Sequence, residues 1–223
     1  MRNKVDFSLY LITDRKLVTR NSRKGTWSQR DFTSSLVTAV RQALRGGVRA
    51  VQLREKDLGT RELLRLAYRM RDLTNKYSAR LFINNRFGIA LAVGADGVHL
   101  AQDSIPAEAV RKAVKKKILI GVSAHSLKEA KSAQKAGADF ITLGPIYRTP
   151  SKLKYGSPLG INTLKKVSRG IRVPVFAIGG IKGRKIKELK KAGTYGVAVI
   201  SEIFEASDIQ KKTKELINIL GSR

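Results

Sequence analysis

The feature that most constrains the fold is the alternation of eight short apolar segments with segments of helical periodicity. From Phe32 to Leu44, for example, apolar residues recur every four positions, as on one face of a helix. Eight strands that alternate with helices predict an α/β protein with a parallel sheet. Their number favours a closed (β/α)8 TIM barrel over a doubly wound sheet, with residues 1–223 as one domain. The predicted strands are 9–13, 50–53, 81–83, 97–100, 118–121, 139–143, 174–178 and 196–200.

A glycine-containing pattern recurs four times, each time between the end of a predicted helix and the next strand. Its copies are Gly-Gly-Val-Arg-Ala (46–50), Gly-Ala-Asp-Gly-Val (94–98), Gly-Ala-Asp-Phe-Ile (137–141) and Gly-Thr-Tyr-Gly-Val (193–197). They precede the second, fourth, sixth and eighth strands, so the repeating unit is two βα units. In such a barrel, binding and catalysis belong to the carboxyl ends of the strands.

The composition excludes several classes of protein. The chain has no cysteine, which excludes disulfides and thiolate metal sites. No apolar run approaches the roughly 20 residues of a membrane helix, and the first residues lack the apolar region of a signal peptide. We therefore expect a cytoplasmic protein that is not bound to a membrane.

The net charge of +28 comes from lysines and arginines spread over the predicted helices, and only 6% of the residues are aromatic. Spread charges with few aromatic residues favour solvated helix faces over a nucleic-acid-binding surface. We therefore expect phosphorylated small molecules as partners and no specific nucleic acid. The sequence leaves a homo-oligomer open.

The end of the second strand carries a charged cluster. Val51 and Leu53 alternate with polar residues, so Gln52, Arg54 and Lys56 are predicted to share one face. An inward arginine and lysine cost desolvation free energy unless an anion binds beside them. Lys152, in the loop after the sixth strand, is predicted to converge on the same anion.

Two further strand ends suit a phosphate. Gly179-Gly180 follow the seventh strand and Ile200-Ser201 follow the eighth, and these two loops form the usual phosphate site of barrel enzymes. Two anion sites in one barrel mouth predict two phosphorylated substrates.

The two histidines are weak candidates for catalysis. His99 lies within a predicted strand, where a position inside the barrel is favoured over a role as a base. His125 lies near the mouth, where capping or packing is slightly favoured over catalysis. The sequence contains no readable nucleophile–base pair and no cluster of metal-binding histidines.

Seven segments, in order along nearly the whole chain, form a recognisable set. They are Leu9–Asp14, Val51–Asp57, Phe82–Arg86, Ala95–Gln102, Ile120–His125, Gly144–Tyr147 and Ala177–Ile181. This set resembles the thiamine-phosphate synthase family and its thiazole tautomerase relatives. The resemblance implies a barrel transferase of thiamine biosynthesis, which joins 4-amino-5-hydroxymethyl-2-methylpyrimidine diphosphate to a thiazole phosphate and releases diphosphate.

The resemblance also implies roles for individual residues. Those that would hold the pyrimidine diphosphate are Gln52, Leu53, Arg54, Glu55, Lys56, Asn84, Ser123 and Lys152. Those that would hold the thiazole phosphate are Thr149, Pro150, Ser151, Gly180, Ile200 and Ser201. In this family diphosphate leaves first, and the thiazole nitrogen attacks the resulting pyrimidine-methyl cation. Because such chemistry needs a neutralised leaving group more than a general base, the resemblance implies that Arg54, Lys56, Ser123 and Lys152 are catalytic.

Two positions depart from the family pattern. Asn85 and Ser104 stand where the family has aspartates that coordinate Mg²⁺, and neutral oxygens are poorer ligands for this ion. The nearest other carboxylates are Asp103 and Asp14. We therefore expect Mg²⁺ as a weakly held cofactor, bound mainly through the substrate diphosphate.

Two alternatives to a synthase stay open. One is a thiazole tautomerase-like enzyme; Pro145 stands at the position of that branch's proton-transferring histidine, so another base such as His125 would be needed. The other is a non-catalytic protein that binds thiamine phosphate or thiazole phosphate.

Overall fold

Eight parallel strands form a closed barrel in which each strand pairs with its neighbours in the chain and the eighth pairs with the first. We describe the protein from a computed structural model, which covers residues 5–20, 29–114, 118–149 and 157–221. The predicted barrel is confirmed. The strands are β1 (Leu9–Ile12), β2 (Ala50–Leu53), β3 (Arg80–Asn84), β4 (Gly97–Leu100), β5 (Leu119–Ala124), β6 (Phe140–Leu143), β7 (Val175–Ile178) and β8 (Gly196–Val199).

Helices surround the barrel and bury their apolar faces against the outside of the strands. They are α1 (Arg15–Arg20), α2 (Gln29–Arg45), α3 (Thr60–Lys76), α4 (Phe87–Ala92), α5 (Ala107–Val114), α6 (Leu127–Lys135), α7 (Gly160–Gly170), α8 (Ile186–Lys191), α9 (Ser201–Phe204) and α10 (Ile209–Leu220). A 3₁₀ turn, Gly183–Lys185, precedes α8. In the described ranges, no helix combines the length and apolar character needed to cross a membrane.

The structure differs from the predicted elements in two places. The polar composition of the segment after β1, up to Arg30, predicts a loop that is mobile at 21–25. The structure instead places α1 at the start of this segment, where Leu17 and Val18 pack against the core. The predicted mobile loop at 21–25 lies outside the described residues. The sequence predicts that residues 123–126 cap the helix that follows. Ser126 does cap α6, by accepting a hydrogen bond from the Glu129 N–H, whereas Ser123 and Ala124 extend β5.

Aromatic rings fill the amino-terminal half of the barrel interior. The ring of Phe7, which precedes β1, lies 5.2–5.7 Å from the rings of Tyr10, Phe82, Phe140 and Phe176. Glycines on neighbouring strands make room for these rings; a Cβ atom on Gly121 would lie 2.4 Å from the Phe140 ring. This apolar plug leaves only the carboxyl end of the barrel open for a polar site.

The repeated pattern has a structural explanation in two ion pairs. The Asp96 carboxylate accepts from Arg71 of α3 at 2.5 Å and from the Leu81 N–H of β3 at 2.8 Å. Asp139, two βα units later, accepts in the same way from Arg111 of α5 and from the Ile120 N–H of β5. Each aspartate thus joins a helix to the strand that follows it. One glycine in each copy, at the end of the preceding helix, has positive φ: Gly47, Gly94, Gly137 and Gly193.

Candidate active site

A layer of polar side chains lies inside the barrel above the aromatic plug. It is contributed by successive strands, because inward positions at the same height alternate with residues that face the helices. Its members are Gln52, Asn84, His99, Ser123 and Thr142. The Gln52 amide donates to Asn84 Oδ1 at 2.8 Å, and its own Oε1 is buried without a partner among the described residues. A buried acceptor without a partner is costly, so this oxygen is a candidate ligand contact.

His99 forms the centre of the layer. Its Nε2 lies 3.1 Å from Ser123 Oγ and 3.2 Å from Thr142 Oγ1, and Thr142 also donates to Ser123 at 3.3 Å. Burial, and secondarily the positive charge of Arg54, lowers the pKa of His99 to about 3. His99 is therefore neutral at pH 7 and orients Ser123. This confirms the prediction that it lies in the barrel interior.

The residues after β2 divide between the mouth and the surrounding shell. Arg54 is partly exposed and near enough to His99 to affect its charge, and Lys56 is exposed. The Leu53 side chain packs among the residues outside the barrel, so only its main chain can face a ligand. Glu55 is turned away from solvent, with 6% of its surface exposed.

Thr13 and Arg15 hold Glu55 in this position. The Thr13 hydroxyl donates to Glu55 Oε1 at 2.7 Å, and the Arg15 N–H and guanidinium donate to the same carboxylate. The Thr13 oxygen also accepts from the Arg54 N–H at 2.9 Å, which ties the main chain of Arg54 to β1. The structure thus gives Glu55 protein partners where a substrate contact was expected. Sequence reasoning missed Arg15, because its partners are 40 residues away.

The loops after β7 and β8 are joined beside the mouth. Glu202 in α9 accepts from the Gly183 N–H at 3.0 Å and pairs with Lys182 at 3.0 Å. The N–H groups of Ser201 and Glu202 are in the first turn of α9, where no intrahelical acceptor is available. Ser201 therefore lies where a phosphate could accept from the main chain.

Gly179 and Gly180 pack tightly against the loop after β6. Both have positive φ, and a Cβ atom on Gly180 would lie 2.8 Å from the Arg148 carbonyl oxygen. A side chain at Gly180 would occupy the path by which a phosphate approaches the main chain. In the structure it would first collide with this loop, so Gly180→Val would disturb the fold as well as the site.

The two positions that depart from the family pattern converge on one main-chain group. Asn85 Oδ1 and Ser104 Oγ both accept from the Ala101 N–H, at 2.9 and 3.1 Å. Asn85 has φ of 57°, a left-handed conformation that asparagine adopts more readily than most residues. Asp103 is exposed, and the described residues contain no group of three acidic or histidine side chains suited to a metal. The residues present therefore do not fit a magnesium site built from protein carboxylates.

The remaining predicted residues lie around the loop after β6. His125 Nδ1 contacts the Gly144 carbonyl oxygen, and its N–H donates to Glu129 at 2.8 Å. Thr149 is half-buried at the end of the described part of this loop. Pro150, Ser151 and Lys152 lie outside the described residues.

A separate cleft of about 570 Å³ lies at the opposite end of the barrel. Its lining includes Arg80, paired with Asp6 at 2.7 Å, and Arg71, paired with Asp96 at 2.5 Å. Because these charges are matched within the fold and lie away from the strand carboxyl ends, we do not assign this cleft as the active site.

Comparisons with known proteins identify the family of this chain. The sequence profile of the family described as thiamine monophosphate synthase matches residues 9–203. A protein of Geobacter sulfurreducens is 50% identical over 220 residues, 99% of this chain and 97% of its own length. Thiamine-phosphate synthase from Ruminiclostridium cellulolyticum is 40% identical over 223 residues, the whole of both chains. The solved structure of thiamine phosphate pyrophosphorylase from Pyrococcus furiosus matches with a TM-score of 0.82 and 36% identity, with 96% of each chain covered. The chain belongs to the thiamine monophosphate synthase family.

Proposed function

We propose that this protein is a thiamine-phosphate synthase, a transferase that joins 4-amino-5-hydroxymethyl-2-methylpyrimidine diphosphate to thiazole phosphate. The observation that carries the proposal is the buried Oε1 of Gln52, which has no hydrogen-bond partner among the described residues and lies in a polar layer below the cationic end of β2. An aminopyrimidine offers this oxygen an N–H donor, and a diphosphate on the same ring would extend toward Arg54 and Lys56. Full-length similarity to thiamine-phosphate synthases supports the same assignment.

The pyrimidine is assigned to the layer formed by Gln52, Asn84 and Ser123. The hydrogen bond from Gln52 to Asn84 fixes the amide so that Oε1 stays available as an acceptor. Neutral His99 and Thr142 fix Ser123 in the same way. A site whose side chains are already held by other protein groups loses little conformational entropy when the substrate binds.

The reaction exchanges one bond at the pyrimidine methylene carbon. The C–O bond to diphosphate breaks, and the leaving group takes the electron pair; the thiazole nitrogen then supplies its lone pair to form the C–N bond. No proton has to move, so no general base is required. Arg54, Lys56 and Lys152 are assigned to neutralise the departing diphosphate, and Ser123 to contact the substrate beside the reacting carbon.

The thiazole phosphate is assigned to the loops that end β6, β7 and β8. Main-chain N–H groups near Gly180, Ile200 and Ser201 suit its phosphate, and the family resemblance assigns Thr149, Pro150 and Ser151 to the same group. The hydrogen bond from the Gly183 N–H to Glu202 supports this assignment, because it holds the loop after β7 against the loop after β8.

Magnesium is assigned a place with the substrate rather than with the protein. Since Asn85 and Ser104 provide no carboxylate, an ion that accompanies the diphosphate would be held mainly by diphosphate oxygens and water. The charge-neutralising roles above therefore rest on the protein's own cations.

The direct test is to mix the two substrates with the purified protein and magnesium, and to quantify thiamine phosphate and diphosphate. We expect both products in equal amounts, none when either substrate is omitted, and a large loss with Arg54→Ala. Binding of both compounds without product would identify a non-catalytic binder instead. Conversion of a thiazole tautomer without use of the pyrimidine would identify a tautomerase.

A further inference from the structure

One long part of the sequence carries positive charge without any acidic residue to balance it. Residues 140–187 contain eleven lysines and arginines and no aspartate or glutamate. This stretch runs from β6 through α7 into α8. On α3, by contrast, Glu62 and Asp72 are interspersed with the arginines.

Two neighbouring helices present this charge to solvent as regular rows. The outward face of α6 carries Lys128, Lys131 and Lys135, and that of α7 carries Lys165, Lys166 and Arg169, all of them exposed. We call these six residues the α6–α7 basic face. None of the six forms an ion pair with an acidic residue in the described parts of the chain.

The two rows belong to one continuous surface. Gln134 at the end of α6 accepts from the Arg172 and Val173 N–H groups that follow α7, at 2.6 and 3.3 Å. Gly170 packs on Leu127, since a Cβ atom there would lie 2.6 Å from the leucine side chain. Packed helices lie about 8–10 Å apart. At 1.5 Å per residue, the α6 row spans about 10 Å and the α7 row about 6 Å.

The acidic residue of α6 does not neutralise this face. Glu129 accepts from the His125 N–H at 2.8 Å, from Gln102 at 2.6 Å and from the Ser126 hydroxyl at 3.2 Å. Its carboxylate is thus directed toward the amino-terminal end of α6, where three protein donors use it.

The chemistry of the face indicates its partner. Membrane-binding helices insert apolar or aromatic side chains, and the centres of protein–protein interfaces are enriched in aromatic residues. Among the described residues, the exposed large hydrophobic side chains are Tyr68, Leu91 and Ile105, on α3, on α4 and before α5. The basic face offers only flexible cations, which match the closely spaced phosphates of a nucleic acid.

We propose that the α6–α7 basic face binds the phosphodiester backbone of nucleic acids without sequence selectivity. The face has no aromatic side chain on which a base could stack, so contact is limited to phosphates. This inference does not depend on the proposed reaction, because the six side chains are exposed on helices outside the barrel and none of them is assigned to the reaction.

The test compares two triple variants that change the net charge equally. K165E/K166E/R169E reverses the α7 row, and R65E/R69E/K76E reverses three exposed residues of α3. Binding to a fluorescently labelled RNA duplex, and to a DNA duplex of the same sequence, is measured by anisotropy over a salt series. We expect the α7 variant to lose at least about tenfold in affinity at low salt, and its log–log salt slope to fall by up to about 2.7, for three lost phosphate contacts. The α3 variant should lose less than about threefold.

Two further measurements test the α6 row and binding to a lipid surface. K128E/K131E/K135E on α6 should reproduce the loss, and both helix variants should retain the wild-type circular dichroism spectrum. Equal losses from the α3 and α7 variants would overturn the proposal in favour of net charge alone. Vesicles of phosphatidylglycerol that bind as tightly as the duplexes, with the same sensitivity to the α7 variant, would overturn it in favour of a membrane surface.

Discussion

Asn85 and Ser104 share one hydrogen-bond donor, the Ala101 N–H, which fixes both side-chain oxygens at the end of β4. Replacing both by aspartate would bring two carboxylates together beside the mouth. We expect N85D/S104D to bind Mg²⁺ at least about tenfold more tightly than wild type in the absence of substrate, because carboxylates are the preferred ligands of this ion. Isothermal titration with Mg²⁺ measures the change, and turnover against Mg²⁺ concentration should rise in parallel.

The matched control is Asp103→Asn, which removes the nearest natural carboxylate. If wild type binds Mg²⁺ tightly without substrate and Asp103→Asn abolishes that binding, Asp103 already supplies the ligand. The loss of the family carboxylates would then be only apparent.

His99 predicts a pH dependence of stability. Its pKa of about 3 in the folded protein is below the ordinary value of 6.5, so between these values the unfolded chain binds the proton and the folded protein does not. Stability should therefore fall as pH falls below 6.5, by up to about 1.4 kcal/mol per pH unit from this group. Between pH 7 and pH 5, the free energy of unfolding measured in urea should fall by about 2 kcal/mol less for His99→Gln than for wild type. The other histidine is the control. If His125→Gln changed the pH dependence of the free energy of unfolding as much as His99→Gln does, the assignment of this dependence to His99 would be contradicted.

At the scale of secondary-structure elements, the ion pairs of Asp96 and Asp139 explain how βα units are joined. Asp139 accepts from both α5 and β5, so Asp139→Asn should weaken the contact with Arg111 and leave a half-buried charge without its partner. We expect the free energy of unfolding to fall by about 2 kcal/mol. Glu108→Gln breaks an exposed pair with Lys112 and should leave the free energy of unfolding nearly unchanged, because exposed ion pairs contribute little. Urea denaturation distinguishes the two, and equal effects would contradict the role assigned to Asp139.

The elements show what local sequence can and cannot predict. The eight strands were predictable, because each is a short apolar run bounded by polar or glycine residues. Helix α1 was not, because Arg15 is held by Glu55 and Asp57, about 40 residues along the chain. Alternation along β2 predicted Gln52 inside the barrel, but it could not reveal that Thr13 turns Glu55 toward β1. Long-range hydrogen bonds of this kind have no local signal.

At the scale of the whole molecule, the effect of the net charge has to be distinguished from the effect of charges that are held at fixed positions in the site. A net charge of +28 attracts any anion to the surface and can raise encounter rates for both substrates. Arg54 differs from most of the other basic residues, because its main-chain N–H is held by the Thr13 hydroxyl. Its charge also acts inside the barrel. Burial is the larger cause of the lowered pKa of His99, and the charge of Arg54 lowers that pKa further. A charge held in place beside the leaving group needs no reorganisation during the reaction.

This difference gives a prediction for Arg54→Ala. The charge that Arg54 neutralises is greatest as the diphosphate departs, so the variant should lose more in the transition state than in substrate binding. We expect kcat for thiamine phosphate formation to fall by about 100-fold or more, while the Kd for thiazole phosphate changes by less than about threefold. K165E/K166E/R169E, which removes more charge but far from the mouth, should change kcat by less than about twofold. If the two variants instead weaken both substrates equally and slow turnover alike, the general field of the protein, and not the position of Arg54, stabilises the leaving diphosphate.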